Sequence, residues 1–398
     1  MSIMNKYFHF TINTKQNNFL SEIVQISLKG LEEMFLPETN EFAMTKLKSN
    51  NSIIIENSNL RYTLINLIGL QKAQSHGFPV NLDITKILKS KFDKLDSVNN
   101  IGDLGLLLWA IGLISPEAAT PLLTKINLNE VLNEFRDSKS GYTMELSWFL
   151  TGLLFASTFN EKFKNSIDNL PTIVYKRIRK NYGGHGIFQH EDKNNFEGKL
   201  RANIGTLADQ LYSIYALSLF SQQMNNEEAL LIAKECSEKI CLHQGKYGEW
   251  NWQYNSEDGN VVNRFPVHSV HQLALAPMAL FSIQMASGVE FTENIFKSIN
   301  WLCENLKLQK QIIDKNNNAI WNKIAPVFNN KLNSIFNFLK FYSFGKYINP
   351  KVEYVCSSYD FGWILYTFAG RIHLENKNIE KKINSNAQVF EIIDFSTQ

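Results

Sequence analysis

Cysteine, charge imbalance and long apolar runs are all scarce in this chain, and each scarcity excludes something. Of 398 residues only four are cysteine (Cys236, Cys241, Cys303 and Cys356), and no two of them form a CxxC pair. That excludes a disulfide scaffold, and with His190 and His243 far apart it leaves no zinc-ligand spacing; neither metal nor cofactor is expected. The longest clean apolar run, Leu104 to Ile114, has 11 residues, short of the roughly 20 that span a bilayer. Residues 1–20 lack the apolar core of about 7–15 residues that marks a secretory leader. Together these features lead to the expectation of a cytoplasmic protein. Lys and Arg number 40 against 38 Asp and Glu, a net charge of +2. No basic stripe follows from such a balance, so nucleic acid is not an expected partner. Hydrophobic residues make up 44% and charged residues 20%, which excludes a disordered chain.

What is abundant is helical periodicity, of two kinds. Amphipathic, charged segments cover 19–35, 81–97, 117–136, 161–180, 226–242 and 290–307, and each predicts a helix with one wet side. Segments apolar nearly all round and rich in small residues cover 59–70, 103–114, 145–157, 207–220, 269–283 and 359–370. These predict helices buried between neighbours. The two kinds alternate six times, as in six helical hairpins with an outer and an inner helix each. Such hairpins can close into an all-α (α/α)6 toroid or stack into an open solenoid. Unequal hairpin lengths and the absence of a strict repeat favour the toroid, as one domain over 1–373 with a tail, 374–398, packed on it.

The long connections, 36–58, 181–204, 243–267 and 308–357, all run from an outer to an inner helix. They therefore crowd the end where the inner helices begin, and long loops tend to carry function. Six helix N-termini directed at one pit favour an anionic ligand.

The first turns of the inner helices offer Arg61 and Tyr62, Asp103, Glu145, Asp209, His268, His271 and Gln272, and Tyr359, Asp360 and Trp363. A ring of acids, bases and aromatics suits acid–base chemistry on a sugar. Simple helix capping accounts for some of the same acids, since Thr206 precedes Asp209 and Ser357 precedes Asp360 at capping spacing. The richest segment is 241–280. Trp250, Trp252 and Tyr254 alternate there, which predicts one side of an extended stretch and a sugar platform. His268 and His271 lie three apart on one helix face. Arg61, Arg201 and Arg264 are candidates to hold a carboxylate. The loop 181–192 (NYGGHGIFQHED) brings Tyr182, His185, Phe188 and His190 together; its glycines suit turns rather than a nucleotide loop. Residues 329–347 form a basic, aromatic, amphipathic stretch that could cap the pit or touch a membrane peripherally.

The hairpin alternation resembles the (α/α)6-toroid enzymes, which include glycan hydrolases, polysaccharide lyases, uronyl epimerases and terpenoid cyclases. Gln244, Gly248 and Trp250 (QGKYGEW) are similar to the QxxxGxW element of squalene-type cyclases. Gly248 to Leu273 (GEWNWQYNSEDG…HSVHQL) resembles the aromatic, HxxHxxQL-type segment of D-glucuronyl C5-epimerases. Neither DxDD nor DDxxD, the acid and metal–diphosphate motifs of terpenoid cyclases, occurs.

The expected function is a carbohydrate-active enzyme of epimerase, lyase or hydrolase type, acting on an acidic or lipid-linked glycan. His268 or His271 would be base or acid, and Asp209 or Asp360 its partner. Arg61, Tyr62, Asp103, Glu145, Arg201, Trp250, Trp252, Tyr254, Arg264, Gln272, Tyr359 and Trp363 would line the substrate site. The alternatives are an isoprenoid-processing toroid and a non-catalytic binding or scaffold toroid.

Overall fold

The computed structural model describes residues 14–49, 52–92, 100–128, 130–132, 142–191, 203–266, 271–304, 312–321, 323–326 and 350–372. Outer helices alternate with inner ones along the chain. Outer α1 (Thr14–Met34) is followed by inner α2 (Leu60–Ser75), and outer α3 (Ile84–Lys89) by inner α4 (Ile101–Ile114). The short α5 (Ala119–Leu122) precedes inner α6 (Thr143–Phe159), and α7 (Glu161–Ile167) with α8 (Leu170–Lys180) precedes inner α9 (Leu207–Met224). Outer α10 (Glu227–Leu242) leads to inner α11 (Ala276–Ser287), and outer α12 (Thr292–Glu304) to inner α13 (Ser358–Phe368). The segment read as one helix over 161–180 breaks at Asp168, whose φ of 46° is left-handed.

The inner helices close into a ring. Each packs on the next from α2 through α4, α6, α9 and α11, and α13 joins the turn before α11 to α2. Small residues bring the backbones together. A Cβ on Gly69 would lie 2.1 Å from the Gly362 carbonyl oxygen, and one on Gly152 would lie 2.1 Å from that of Gly105. These contacts join α2 to α13 and α4 to α6, so side chains of any size there would push the ring apart. Trp109 fills the middle of the ring. Its indole stacks on Phe155 and Tyr215, each at 5.4 Å, and meets Trp363 and Tyr366, each at 5.3 Å. The Tyr215 and Tyr366 hydroxyls share a 2.6 Å hydrogen bond. An aromatic plug therefore closes the ring beneath the inner-helix N-termini.

The all-helical expectation holds for the ring, while the outer-to-inner connections carry short strands. β1 (Phe35–Leu36), β2 (Glu41–Ser49) and β3 (Ser52–Ser58) precede α2; β4 (Ile204–Thr206) precedes α9. β5 (Asn251–Asn255) and β6 (Val261–Pro266) extend the β4 sheet in the order β4-β5-β6. β7 (Ile313–Asp314) pairs with β8 (Ala319–Ile320), and β9 (Lys323–Pro326) with β10 (Pro350–Glu353). β11 (Val355–Ser357) runs straight into α13 and pairs with β2, with Cys356 opposite Lys46. β2 lies between β3 and β11, so one sheet ties the entry of the first inner helix to that of the sixth. Strands thus deliver the chain to the N-termini of α2, α9 and α13, which fixes the height of each first turn.

The segment 269–283 was expected as one helix. Its described part begins with a wider turn, His271–Leu275, before α11. Pro277 near the start of α11 has no amide hydrogen to continue a regular ladder backward. None of the described helices is long and apolar enough to cross a membrane. Residues 329–347 and the tail 374–398 lie outside the described residues.

Candidate active site

The first turns of α2, α4 and α6 build one polar cluster. Asn59 caps α2, its Oδ1 accepting from the Tyr62 amide at 2.8 Å. That places Arg61 at the mouth, where its Nε donates to Asp103 Oδ1 at 2.6 Å and its Nη2 lies 3.5 Å from Glu145 Oε1. Asn100 does two jobs. Its Oδ1 accepts from the amides of Gly102 and Asp103, capping α4, while its Nδ2 donates to Glu145 Oε1 at 2.8 Å. One side chain therefore locks the entry of α4 to the first turn of α6.

Glu145 is buried, and its Oε2 has no hydrogen-bond partner among the described residues. Burial raises its carboxyl above the ordinary range; Asn100 and Arg61 oppose this, and the Asp103 charge adds to it. Burial also works against the Arg61 charge, but Asp103 and Glu145 outweigh it and keep the guanidinium protonated. The guanidinium lies over the Trp148 ring at 5.2 Å, with 29% of the side chain accessible. Its Nη1 is unspent among the described residues.

Aromatic rings continue the wall. Tyr62 meets Tyr359 edge-on at 4.6 Å, Trp148 meets Tyr212 at 5.0 Å, and Tyr212 meets Trp363 at 5.9 Å. Burial lifts the Tyr62 phenol to about 12 and raises Tyr359 as well, so both remain neutral donors near pH 7. Tyr62, Tyr359 and His271 are half-buried. His271 lies edge-on to Trp252 at 5.8 Å, and Trp252 is itself half-buried. Burial lowers His271 to about 4 despite the nearby Asp209 charge, so its imidazole is neutral at physiological pH.

The fourth inner helix contributes a different arrangement. Asp209 is fully enclosed and forms the expected capping box with Thr206. Its Oδ2 accepts from the Thr206 amide at 2.8 Å and the Thr206 hydroxyl at 2.7 Å. His190 Nδ1 lies 2.9 Å from Asp209 Oδ2 and 3.1 Å from Oδ1. The His190 ring packs on Tyr142 at 4.9 Å.

The structure thus brings Arg61, Asp103 and Glu145 into one cluster, sets Tyr62 against Tyr359, and sets Trp252 against His271. Others are enclosed in the protein interior. Trp250 is fully enclosed, its Nε1 donating to Ser298 Oγ at 3.0 Å, and Tyr254 is fully enclosed too. The expected platform fails because register shifts in β5 opposite β6 break the simple alternation, leaving Trp252 alone half-exposed. Gln272 is enclosed, accepting from the Trp250 amide at 3.0 Å and donating to the Gly248 carbonyl at 3.0 Å. Trp363 belongs to the aromatic plug. The QxxxGxW element is a structural clasp. Gln244 Nε2 donates to the carbonyls of Gly248 and Asn294, and Gly248 adopts a φ of 95° against α12.

Asp360 is enclosed as well, with neither carboxyl oxygen in a hydrogen bond among the described residues. Burial raises it well above the carboxylate range; the Ser357 backbone favours the charged form but falls short of hydrogen-bond geometry. Arg264 lies on β6, with its side chain outside the described residues, as are Arg201 and His268 altogether. His190, Trp148 and Tyr212 join the site without having been placed in it from sequence. The signal for His190 was its glycine-rich loop; Trp148 and Tyr212 sit in helices that read only as buried.

No protein-family model matches the chain, and no curated protein is similar to it in sequence. Solved structures do share its architecture. Unsaturated glucuronyl hydrolase from Bacillus sp. GL1 superposes with a TM-score of 0.56 at 12% identity, covering 89% of this chain and 95% of that one. A possible member of the GH105 family from Salmonella enterica gives 0.55 at 10% identity, covering 94% and 97%. A variant of unsaturated glucuronyl hydrolase from Streptococcus agalactiae gives 0.54 at 14% identity, also covering 94% and 97%. The chain has the (α/α)6-toroid fold. The open solenoid is thereby set aside, because a closed inner ring is present and near-complete toroids superpose on it.

Proposed function

We propose that this toroid is a carbohydrate-active enzyme that acts on an acidic glycan by general acid–base chemistry at the inner-helix mouth. The observation that carries the reading is the pairing of two unlike carboxyls. Glu145 is driven toward its protonated form by burial and keeps one oxygen unspent. Asp103, on the neighbouring helix, is held in an ion pair with Arg61. A buried acid with a free oxygen, set beside a second carboxyl and a guanidinium, is an arrangement suited to acid–base work on a glycosidic bond. Glu145 would give its proton to the leaving oxygen. The unspent Nη1 of Arg61 would receive a substrate carboxylate, and Trp252, Tyr62 and Tyr359 would contact the sugar. The architecture shared with unsaturated glucuronyl hydrolases supports hydrolysis of a uronic-acid-containing glycan over epimerisation or elimination.

We further infer that the chain works where thiols stay reduced, as cytosol provides, since Cys236, Cys241 and Cys356 are all free. Residues 329–347 remain the candidate for a cap or a membrane contact.

The test is turnover of a panel of uronic-acid-terminated oligosaccharides and aryl glucuronides beside neutral glycosides. The reading expects activity on acidic members and a loss of ~100-fold or more in kcat for Glu145→Gln. Full activity in that variant, or turnover confined to neutral glycosides, contradicts it.

A further inference from the structure

The sheet that delivers the chain to the first and sixth inner helices has two unlike faces. β3, β2 and β11 pair so that Ile54, Leu47 and Val355 stand abreast in one row, and Glu56, Thr45 and Ser357 in the next. Side chains alternate along a strand, so Lys46 and Lys48 belong to the other face. Lys46 Nζ donates to Glu33 Oε2 of α1 at 2.6 Å and to the Asn317 carbonyl at 3.0 Å, and Lys48 Nζ donates to Asp314 Oδ2 at 3.1 Å. That face is covered by α1 and the β7–β8 hairpin. The row of Ile54, Leu47 and Val355 is turned away from both. Ile54 is exposed, and Leu47 and Val355 are half-buried.

Three aliphatic side chains side by side make a contiguous apolar strip rather than scattered surface residues. β3 pairs with β2 alone among the described residues, and a charged side chain is the usual protection for such an outer strand. The strip is continuous with the mouth. β3 ends at Ser58, just before Asn59 caps α2, and β11 ends at Ser357, directly before α13. The first turns of those two helices carry Tyr62 and Tyr359, whose rings meet at 4.6 Å. Val355 precedes Ser358 by three residues, about 10 Å at the strand rise. We propose that the row of Ile54, Leu47 and Val355 receives the alkyl chain of the substrate, so that the acidic glycan turned over at the mouth is lipid-linked. The proposal rests on the acid–base reading of the mouth and names the leaving-group side of its substrate. Arg61 holds the sugar end, and the chain runs past Tyr62 and Tyr359 onto the row.

Methyl and octyl glucuronide share the sugar and differ only in the chain, which makes them the probes. KM for the octyl compound is expected to be ~10-fold or more below that for the methyl compound, because each buried methylene favours binding. Ile54→Ser is expected to bring the two KM values together. Ile53→Ser is the control: Ile53 is 37% exposed against 43% for Ile54, but it stands on the opposite face, so the two KM values stay apart. Equal KM values in the wild type, or a difference that survives Ile54→Ser, overturn the inference while the glycan reading stands. Turnover of neither compound overturns the glycan reading, and methyl NMR then decides the strip by itself. Octyl but not methyl glucuronide is expected to shift the Ile54, Leu47 and Val355 methyl signals; unmoved signals overturn the inference. Sedimentation reads the rival occupant, a second copy of the chain. A monomer is expected, and a dimer that Ile54→Ser dissociates overturns the proposal.

Discussion

Asp360 sits at the start of the sixth inner helix with no hydrogen-bond donor on either oxygen among the described residues, and this has a consequence in pH. Its carboxyl is raised in the folded protein, so above pH 4 the unfolded chain releases a proton that the folded one retains. Stability should therefore fall as pH rises from the unfolded value through the raised folded one. Asp360→Asn cannot ionise, so its Tm should decline less than the wild type's between pH 5 and 9; equal slopes would contradict the assignment. His271 has the opposite sense. Its folded value lies near 4, below the ordinary 6.5, so acidification protonates the unfolded chain first. The stability it contributes is present above about pH 6.5 and lost down to about pH 4; His271→Gln should flatten that limb of the Tm profile. Arg61→Lys keeps the charge but loses the planar fork, so KM for an acidic substrate should rise while kcat changes less. An unchanged KM would remove Arg61 from substrate binding.

Among the elements, the seam between α2 and α13 closes the ring, and its tightness depends on two glycines. Gly362→Ala places a methyl against the Ile65 carbonyl and Asn66 Oδ1, with approaches of 2.7 and 2.8 Å. Denaturant unfolding should show a loss of about 1–3 kcal/mol. An unperturbed midpoint would mean that the seam yields. These inner helices were legible in the sequence because closure leaves no wet face, and segments such as DLGLLLWAIGLI carry almost no charge. The outer helices in 19–35, 226–242 and 290–307 were legible from amphipathicity, whereas 161–180 breaks at Asp168 and the described part of 117–136 holds the short α5 followed by turns. The strands in the connections were less legible. β4 and β11 are each three residues long and exist only through distant pairing, as Cys356 does with Lys46. A local pattern cannot report such a partner.

At the scale of the molecule, the proposal of a site at the inner-helix N-termini comes from chain order, since the long connections run from outer to inner helices. Which side chains face the recess did not follow. Trp250 and Trp252 are two residues apart in one aromatic stretch, yet a bulge buries the first behind Ser298 and leaves the second beside His271. The Arg61–Asp103–Glu145 cluster joins three helices separated by some 40 residues each, and only ring closure brings them together. Helix dipoles suggested an anionic ligand, and the contact proposed for it is Arg61 Nη1, which makes no hydrogen bond among the described residues. The most direct test is a crystal structure with a uronic-acid-terminated disaccharide bound. The account predicts the sugar carboxylate on Arg61 Nη1, the glycosidic oxygen within hydrogen-bond reach of Glu145, and Trp252 against a ring. A disaccharide seated away from the inner-helix N-termini, or one that leaves Glu145 untouched, would contradict it.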